Sequence, residues 1–255
     1  MIRNLWTVML RITAIFLTTC MGMLHASLAA AQRLGAYQES ATVIEIGGEG
    51  FARNFEGVVS GDASIEWNVF VPESYDPDLP AGVLVYISPS NSGNIPEHWE
   101  AVLGDKNLIW VAANKSGNSV NPRLRIVYSL LAPAFIDRNY EVDTSRVFVA
   151  GLSGGGRVAS MVAPEYPTLF RGAIYICGAN NFGKRTKQQL ERIRTGRFVF
   201  LTGSEDFNRG ETKRVYNRYL RAEVENSFYL DIPGMGHQNP DAERFAEAIA
   251  YLDNQ

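Results

Sequence analysis

Apolar residues gather in short blocks along this chain. Runs at residues 41–46, 67–71, 83–88, 108–112, 146–150, 173–177, 198–201 and 227–232 are each four to six residues long. Polar and turn-forming residues separate them, so each reads as a strand. The inner runs, such as Val83-Leu84-Val85-Tyr86-Ile87 and Ala173-Ile174-Tyr175-Ile176-Cys177, are continuous rather than alternating. That is the pattern of strands covered on both faces. In the later part of the chain, stretches with helical spacing at residues 123–139, 154–163, 184–195, 211–225 and 241–252 fall between the strands. Strand alternating with helix predicts an α/β fold, a mostly parallel central sheet with helices on both faces. The first strands have no helices between them, which predicts an antiparallel start. The connections are too short for a large cap domain, so an open site is expected. Residues 32–255 contain no internal repeat, low-complexity tract or linker and are read as one domain.

Residues 1–31 have the pattern of a signal peptide. Arg3 and Arg11 are the only charges before Arg33, residues 12–24 are apolar, and Ala29-Ala30-Ala31 supplies small residues for cleavage. An apolar stretch of that length is too short to span a bilayer. Cleavage near Ala31 is expected, giving a secreted or periplasmic chain with no membrane attachment. Lipoprotein anchoring through Cys20 and a retained N-terminal anchor are the other readings.

The full chain has 24 Lys+Arg against 27 Asp+Glu. Loss of Arg3 and Arg11 makes it more acidic still, and no basic block appears, so nucleic acid is not an expected partner. Of the two cysteines, Cys20 lies in the signal. Cys177 then has no partner for an internal disulfide, and its place in an apolar run reads as a small buried hydrophobe. Beyond residue 31 only His98 and His237 remain, and no metal-binding cluster is visible in the spacing.

The chemistry centres on Gly151-Leu152-Ser153-Gly154-Gly155. An apolar run precedes it, and a helical stretch ending at Pro164 follows. Strand, tight turn and helix with serine at the apex is the context a G-x-S-x-G nucleophile elbow requires. A glycine-rich turn of no catalytic consequence is the competing reading.

A serine hydroxyl needs a base, and the base needs an acid to orient it. After the run Phe198-Val199-Phe200-Leu201 comes Thr202-Gly203-Ser204-Glu205-Asp206. A carboxylate there lies at the carboxyl end of a parallel strand, where such sheets place their sites. Asp206 is the preferred acid, Glu205 the near alternative and Asp231 a distant one. His237, in Pro233-Gly234-Met235-Gly236-His237, is the only histidine after the elbow and is read as the base. The oxyanion hole would use the N–H of Gly154, with a second donor from Ser88-Pro89-Ser90-Asn91-Ser92-Gly93. Pro89 has no N–H, so Ser90 is chosen, with Asn91 the alternative.

Other residues carry less weight. His98 and Trp99 are either pocket residues or, for the aromatic, helix packing. Asn114-Lys115-Ser116-Gly117-Asn118 either floors the site or forms a turn. Arg157 is expected to pair with an acid such as Asp143. Asn180 and Asn181 are either substrate contacts or turn formers.

The run Tyr140-Glu141-Val142-Asp143-Thr144-Ser145-Arg146-Val147-Phe148-Val149-Ala150-Gly151-Leu152-Ser153-Gly154-Gly155-Gly156 resembles the elbow region of α/β-hydrolases of the polyhydroxybutyrate-depolymerase-like and feruloyl-esterase-like group. Those proteins carry a similar Val-Asp-x-x-Arg-Val-x-Val-x-Gly-x-Ser-x-Gly-Gly. Phe70-Val71-Pro72-Glu73-Ser74-Tyr75-Asp76 is similar as well. The resemblance implies an α/β-hydrolase fold and a secreted serine esterase acting on small or oligomeric carboxylic esters without a cofactor. Where these families usually have His-Gly at the oxyanion loop, this chain has Ser88-Pro89. The competing functional readings are a serine peptidase of the prolyl-oligopeptidase type and a non-catalytic binding protein on the same fold.

Overall fold

The computed structural model describes residues 32–253; the residues read as a signal peptide and the expected cleavage point lie outside them. Eight strands form one sheet. They are β1 (Gly35–Thr42), β2 (Ser64–Val71), β3 (Ala81–Ile87), β4 (Leu108–Ala113), β5 (Val142–Leu152), β6 (Gly172–Ile176), β7 (Arg197–Gly203) and β8 (Ser227–Ile232). Their order across the sheet is β1-β2-β4-β3-β5-β6-β7-β8. The pairs β1–β2 and β2–β4 are antiparallel, and every later pair is parallel. The antiparallel start and the parallel remainder are those expected, but the first strands are not free of helices: residues 43–52 are helical between β1 and β2, and residues 99–105 between β3 and β4. Every residue of β3, β4 and β6 is buried, which is why these strands read as unbroken apolar runs.

The helices are α1 (Val43–Ala52), α2 (Trp99–Asp105), α3 (Pro122–Asp137), α4 (Gly154–Val162), α5 (Lys187–Arg194), α6 (Arg209–Arg221) and α7 (Ala242–Asp253). Alternate strand residues face opposite helical layers. On one face Tyr86, Trp110, Ile174, Val199 and Leu201 pack with Trp99 of α2 and Phe245, Ile249 and Leu252 of α7. On the other, Trp67 stacks on Phe135 of α3, and Tyr175, Phe198 and Phe200 surround Tyr219 of α6. No helix among the described residues is long and apolar enough to cross a membrane.

The first strand differs from the run predicted at residues 41–46. β1 ends at Thr42, and α1 begins at Val43. Thr42 Oγ1 accepts from the Glu45 N–H, while the Glu45 carboxylate accepts from the Thr42 N–H at 2.6 Å. This capping box turns the apolar run into a helix start. β1 alternates between exposed and partly buried residues, so no continuous run marked it. Helix α2 was not expected either. It is seven residues long, and its N-cap residue His98 makes no side-chain cap.

Candidate active site

Ser153, Asp206 and His237 follow the carboxyl ends of β5, β7 and β8. Ser153 follows β5 and occupies φ 56°, ψ −117°. A residue with a side chain takes such a backbone only when its surroundings hold it there, at a cost of about 1–3 kcal/mol. Here its N–H donates to Ile176 O on β6 at 2.8 Å, and its carbonyl accepts from the Arg157 N–H at 3.0 Å. Gly155 allows α4 to start directly against β3: a Cβ there would lie 1.7 Å from Ile87 O. Ser153 is half-buried, at the N-terminus of α4.

The Asp206 carboxylate is buried beneath the loop that carries His237. Its Oδ1 lies 2.7 Å from His237 Nδ1 and accepts from the Asn208 N–H at 3.0 Å. Its Oδ2 accepts from Thr202 Oγ1 at 2.6 Å. Burial pushes Asp206 up, but the hydrogen bonds from Thr202, Asn208, His237 and Cys177 outweigh it and hold the carboxyl below its ordinary value. The two alternative acids are elsewhere. Glu205 is exposed, and Asp231 pairs with Arg209 at 2.7 Å. Among the described residues no hydrogen bond joins the Ser153 hydroxyl to His237, whose bonded partner is Asp206. Such contacts often close only when substrate binds.

Two neighbours of this pair were not predicted as part of a site. Phe207 is 78% exposed and stacks on the His237 ring, with centroids 4.0 Å apart. It shields one face of the imidazole and offers an apolar surface to solvent. Cys177 is fully buried, as expected, but it sits under the histidine loop, with Sγ 3.6 Å from Gln238 O and 3.8 Å from Gly236 O. Burial and the Asp206 charge push its thiol up to about 12. One donor atom each from Cys177, Asp206 and His237 lies within 4.8 Å of the others. That grouping was not visible in the sequence spacing. A cation there would have to displace the Asp206–His237 bond and ionise a strongly disfavoured thiol, so the donor set suits proton transfer better than metal binding.

The oxyanion candidates are placed as follows. Gly154 is the first residue of α4, where backbone N–H groups have no acceptor within the helix. Ser90 lies on the loop after β3, but its N–H donates to Ser88 Oγ at 3.2 Å and its hydroxyl bonds Ser88 Oγ and Ser92 O. That loop is tied to the one after β4: Asn118 N donates to Pro89 O at 2.9 Å and Lys115 N to Asn91 O at 2.7 Å. Beneath both lies Arg125 of α3, only 4% exposed. Its Nε donates to Ser116 O at 2.9 Å and its Nη2 to Ser88 O at 2.8 Å. Its Nη1 reaches Gly154 O and Asn118 Oδ1, each at 3.4 Å. Burial lowers its pKa, and the guanidinium is held by carbonyls. One buried cation thus clamps both loops and the elbow. Nothing in the sequence distinguished Arg125 from its neighbours on the helix.

Other expected residues have ordinary places. Arg157 pairs bidentately with Glu211, not with Asp143, which instead accepts from the Ser145 N–H at 2.9 Å. The two acids are equally available by charge; the fold brings α6 beside α4 and leaves Asp143 turning the start of β5. Trp99 is buried against Phe245, and its Nε1 donates to Pro240 O. His98 is exposed beside Glu97. The Asn180 N–H donates to Ser160 Oγ at 2.7 Å.

No family model matches the sequence, and no curated protein matches it either. Solved structures do match in fold. A ferulic acid esterase superposes with a TM-score of 0.61 at 17% identity, covering 87% of this chain and 98% of that one. The feruloyl esterase module from Clostridium thermocellum, an S954A mutant complexed with sinapinate, gives 0.60 at 14% identity, covering 87% and 88%. Porphyromonas gingivalis dipeptidyl peptidase 4 gives 0.61 at 15% identity, over 87% of this chain and 36% of that one. The chain therefore has the α/β-hydrolase fold of esterases and serine hydrolases.

Proposed function

We propose that this chain is a serine hydrolase cleaving carboxylic esters, with Ser153 as nucleophile, His237 as base and Asp206 as the orienting acid. The observation that carries the reading is the 2.7 Å contact between His237 Nδ1 and the buried Asp206 carboxylate, at the same sheet edge as a serine in elbow conformation. Nδ1 bonded to Asp206 leaves Nε2 as the nitrogen that takes the serine proton. Ser153 Oγ attacks the ester carbonyl, and its proton passes to His237. The tetrahedral intermediate expels the alcohol, which His237 protonates. Water, deprotonated by His237, then cleaves the acyl-enzyme and restores Ser153. Asp206 keeps the tautomer and stabilises the imidazolium. The Gly154 N–H stands at the start of a helix, where developing negative charge is favoured.

The fold shared with esterases supports this reading. The proposed substrates are small or oligomeric esters. The N-terminal signal pattern supports an exported enzyme. Hydrolysis of p-nitrophenyl acetate by wild type and Ser153→Ala tests the reading. The expected loss is about 10⁴-fold or more in a variant that remains folded. Near-normal activity in folded Ser153→Ala would refute it. The matching acetyl p-nitroanilide measures amide cleavage in the same assay.

A further inference from the structure

We infer that the side-chain amide of Asn118 is the second oxyanion donor, acting beside the Gly154 N–H. The inference rests on the Ser153 esterase reading and names a residue of the same site. It begins from an anomaly at the elbow. The residue after the nucleophile is glycine, and the space its side chain would fill is already taken. A Cβ on Gly154 would lie 2.0 Å from Asn118 Oδ1, 2.7 Å from its Cγ and 3.0 Å from its Nδ2. The Asn118 carboxamide therefore lies directly against Gly154, the first oxyanion donor of the proposed reading, with both ends of the amide within 3.0 Å of the side-chain position that glycine leaves empty.

Its orientation is set from two sides. The Asn118 N–H is bonded to Pro89 O at 2.9 Å, which fixes the backbone to the loop after β3. Oδ1 accepts from the buried Arg125 Nη1, which also reaches Gly154 O. With Oδ1 turned toward the guanidinium, the end left to donate is Nδ2. The residue is exposed, so that donor is open to a substrate. Two of the backbone alternatives on the neighbouring loop are poorer. Pro89 has no N–H, and the Ser90 N–H is engaged by Ser88 Oγ. A carboxamide donor suits the task chemically, because it carries no charge to be desolvated in the free enzyme and strengthens its bond as the carbonyl oxygen becomes anionic.

The test is steady-state kinetics on p-nitrophenyl acetate with Asn118→Ala and Asn118→Asp, each checked by thermal melting. Aspartate keeps the size and an oxygen that can accept from Arg125, but replaces the donor by a negative charge; alanine removes the donor without adding charge and is the discriminating variant. If Asn118 served merely to support the loop, Asn118→Ala would melt at a lower temperature but keep wild-type kcat in the folded protein. The inference predicts instead that both variants lose about 10²–10³-fold in kcat with KM changed far less, as expected when an interaction made only in the transition state is removed. Wild-type-like kcat in folded Asn118→Ala overturns it. Two failures are distinct: absence of Ser153-dependent hydrolysis in the wild type defeats the esterase reading itself, whereas hydrolysis that survives Asn118→Ala defeats this inference alone.

Discussion

Replacing Asp206 by asparagine separates orientation from bulk, because the two side chains are nearly the same size. The carboxylate accepts hydrogen bonds from His237, Thr202, the Asn208 N–H and the Cys177 thiol, and it is buried. Asparagine retains one acceptor oxygen and presents an NH₂ group on the other side. That group either faces His237, forcing the imidazole proton onto Nε2, or faces Thr202 Oγ1, which can rotate to accept. The first arrangement removes the base from the serine. Fixing the wrong tautomer costs about 10⁴-fold in kcat. Losing a charge-assisted bond costs about 1.5–3 kcal/mol of stability, which at about 2–4 °C per kcal/mol corresponds to a Tm fall of roughly 3–12 °C. Glu205→Gln, one residue earlier and exposed, should change neither kcat nor Tm. The assays are p-nitrophenyl acetate kinetics and thermal melting of both variants. Losses of equal size, or a greater loss in Glu205→Gln, would refute the assignment.

Four further outcomes follow from the same structure. Hydrogen bonds hold the Asp206 carboxyl below its ordinary value. Its stabilisation is therefore complete above about pH 5 and lost as pH falls through the folded value, so the stabilities of wild type and Asp206→Asn, measured by urea unfolding, should converge in acid. Because a base must be neutral to take the serine proton, kcat/KM should fall in acid, where that base is protonated. His98→Gln should leave that profile in place, and a profile that moves with His98 would contradict it. Cys177, buried with its thiol pushed up to about 12, should resist iodoacetamide in the folded protein and react once urea unfolds it. Phe245→Ala removes a buried ring stacked on Trp99 at 3.6 Å and should cost about 3–5 kcal/mol in urea unfolding, with activity retained in the folded fraction.

What was legible in the sequence was what local physics writes locally. Strands buried on both faces appear as unbroken apolar runs, so β3, β4, β6 and β7 stood out, as did the helices that separate the later strands. The elbow was legible because its strand, turn and helix are contiguous, and Asp206 because it follows the end of β7. β1 was displaced because its alternating pattern is faint beside the apolar residues 41–46, while the Thr42–Glu45 capping box converts most of that run into helix. The partner of Arg157 could not be read, since Asp143 and Glu211 differ in space rather than in chemistry. Arg125 and Phe207 escaped for the same reason, and Asn118 was read only as part of a stretch that floors the site or forms a turn. Each acquires its meaning from a residue remote in sequence or from a loop conformation: the guanidinium from carbonyls on three segments, the amide from the vacant side-chain position of Gly154, and the phenyl ring from its stack on His237.

The central claim is that Ser153 is a nucleophile activated by the Asp206–His237 pair. Labelling with a fluorophosphonate, followed by mass spectrometry of the digested protein, tests it most directly. A single adduct is expected on the peptide containing Ser153, absent in Ser153→Ala and formed far more slowly in His237→Gln. An unlabelled wild-type protein, an adduct on another residue, or labelling that proceeds at the same rate without His237 would contradict it.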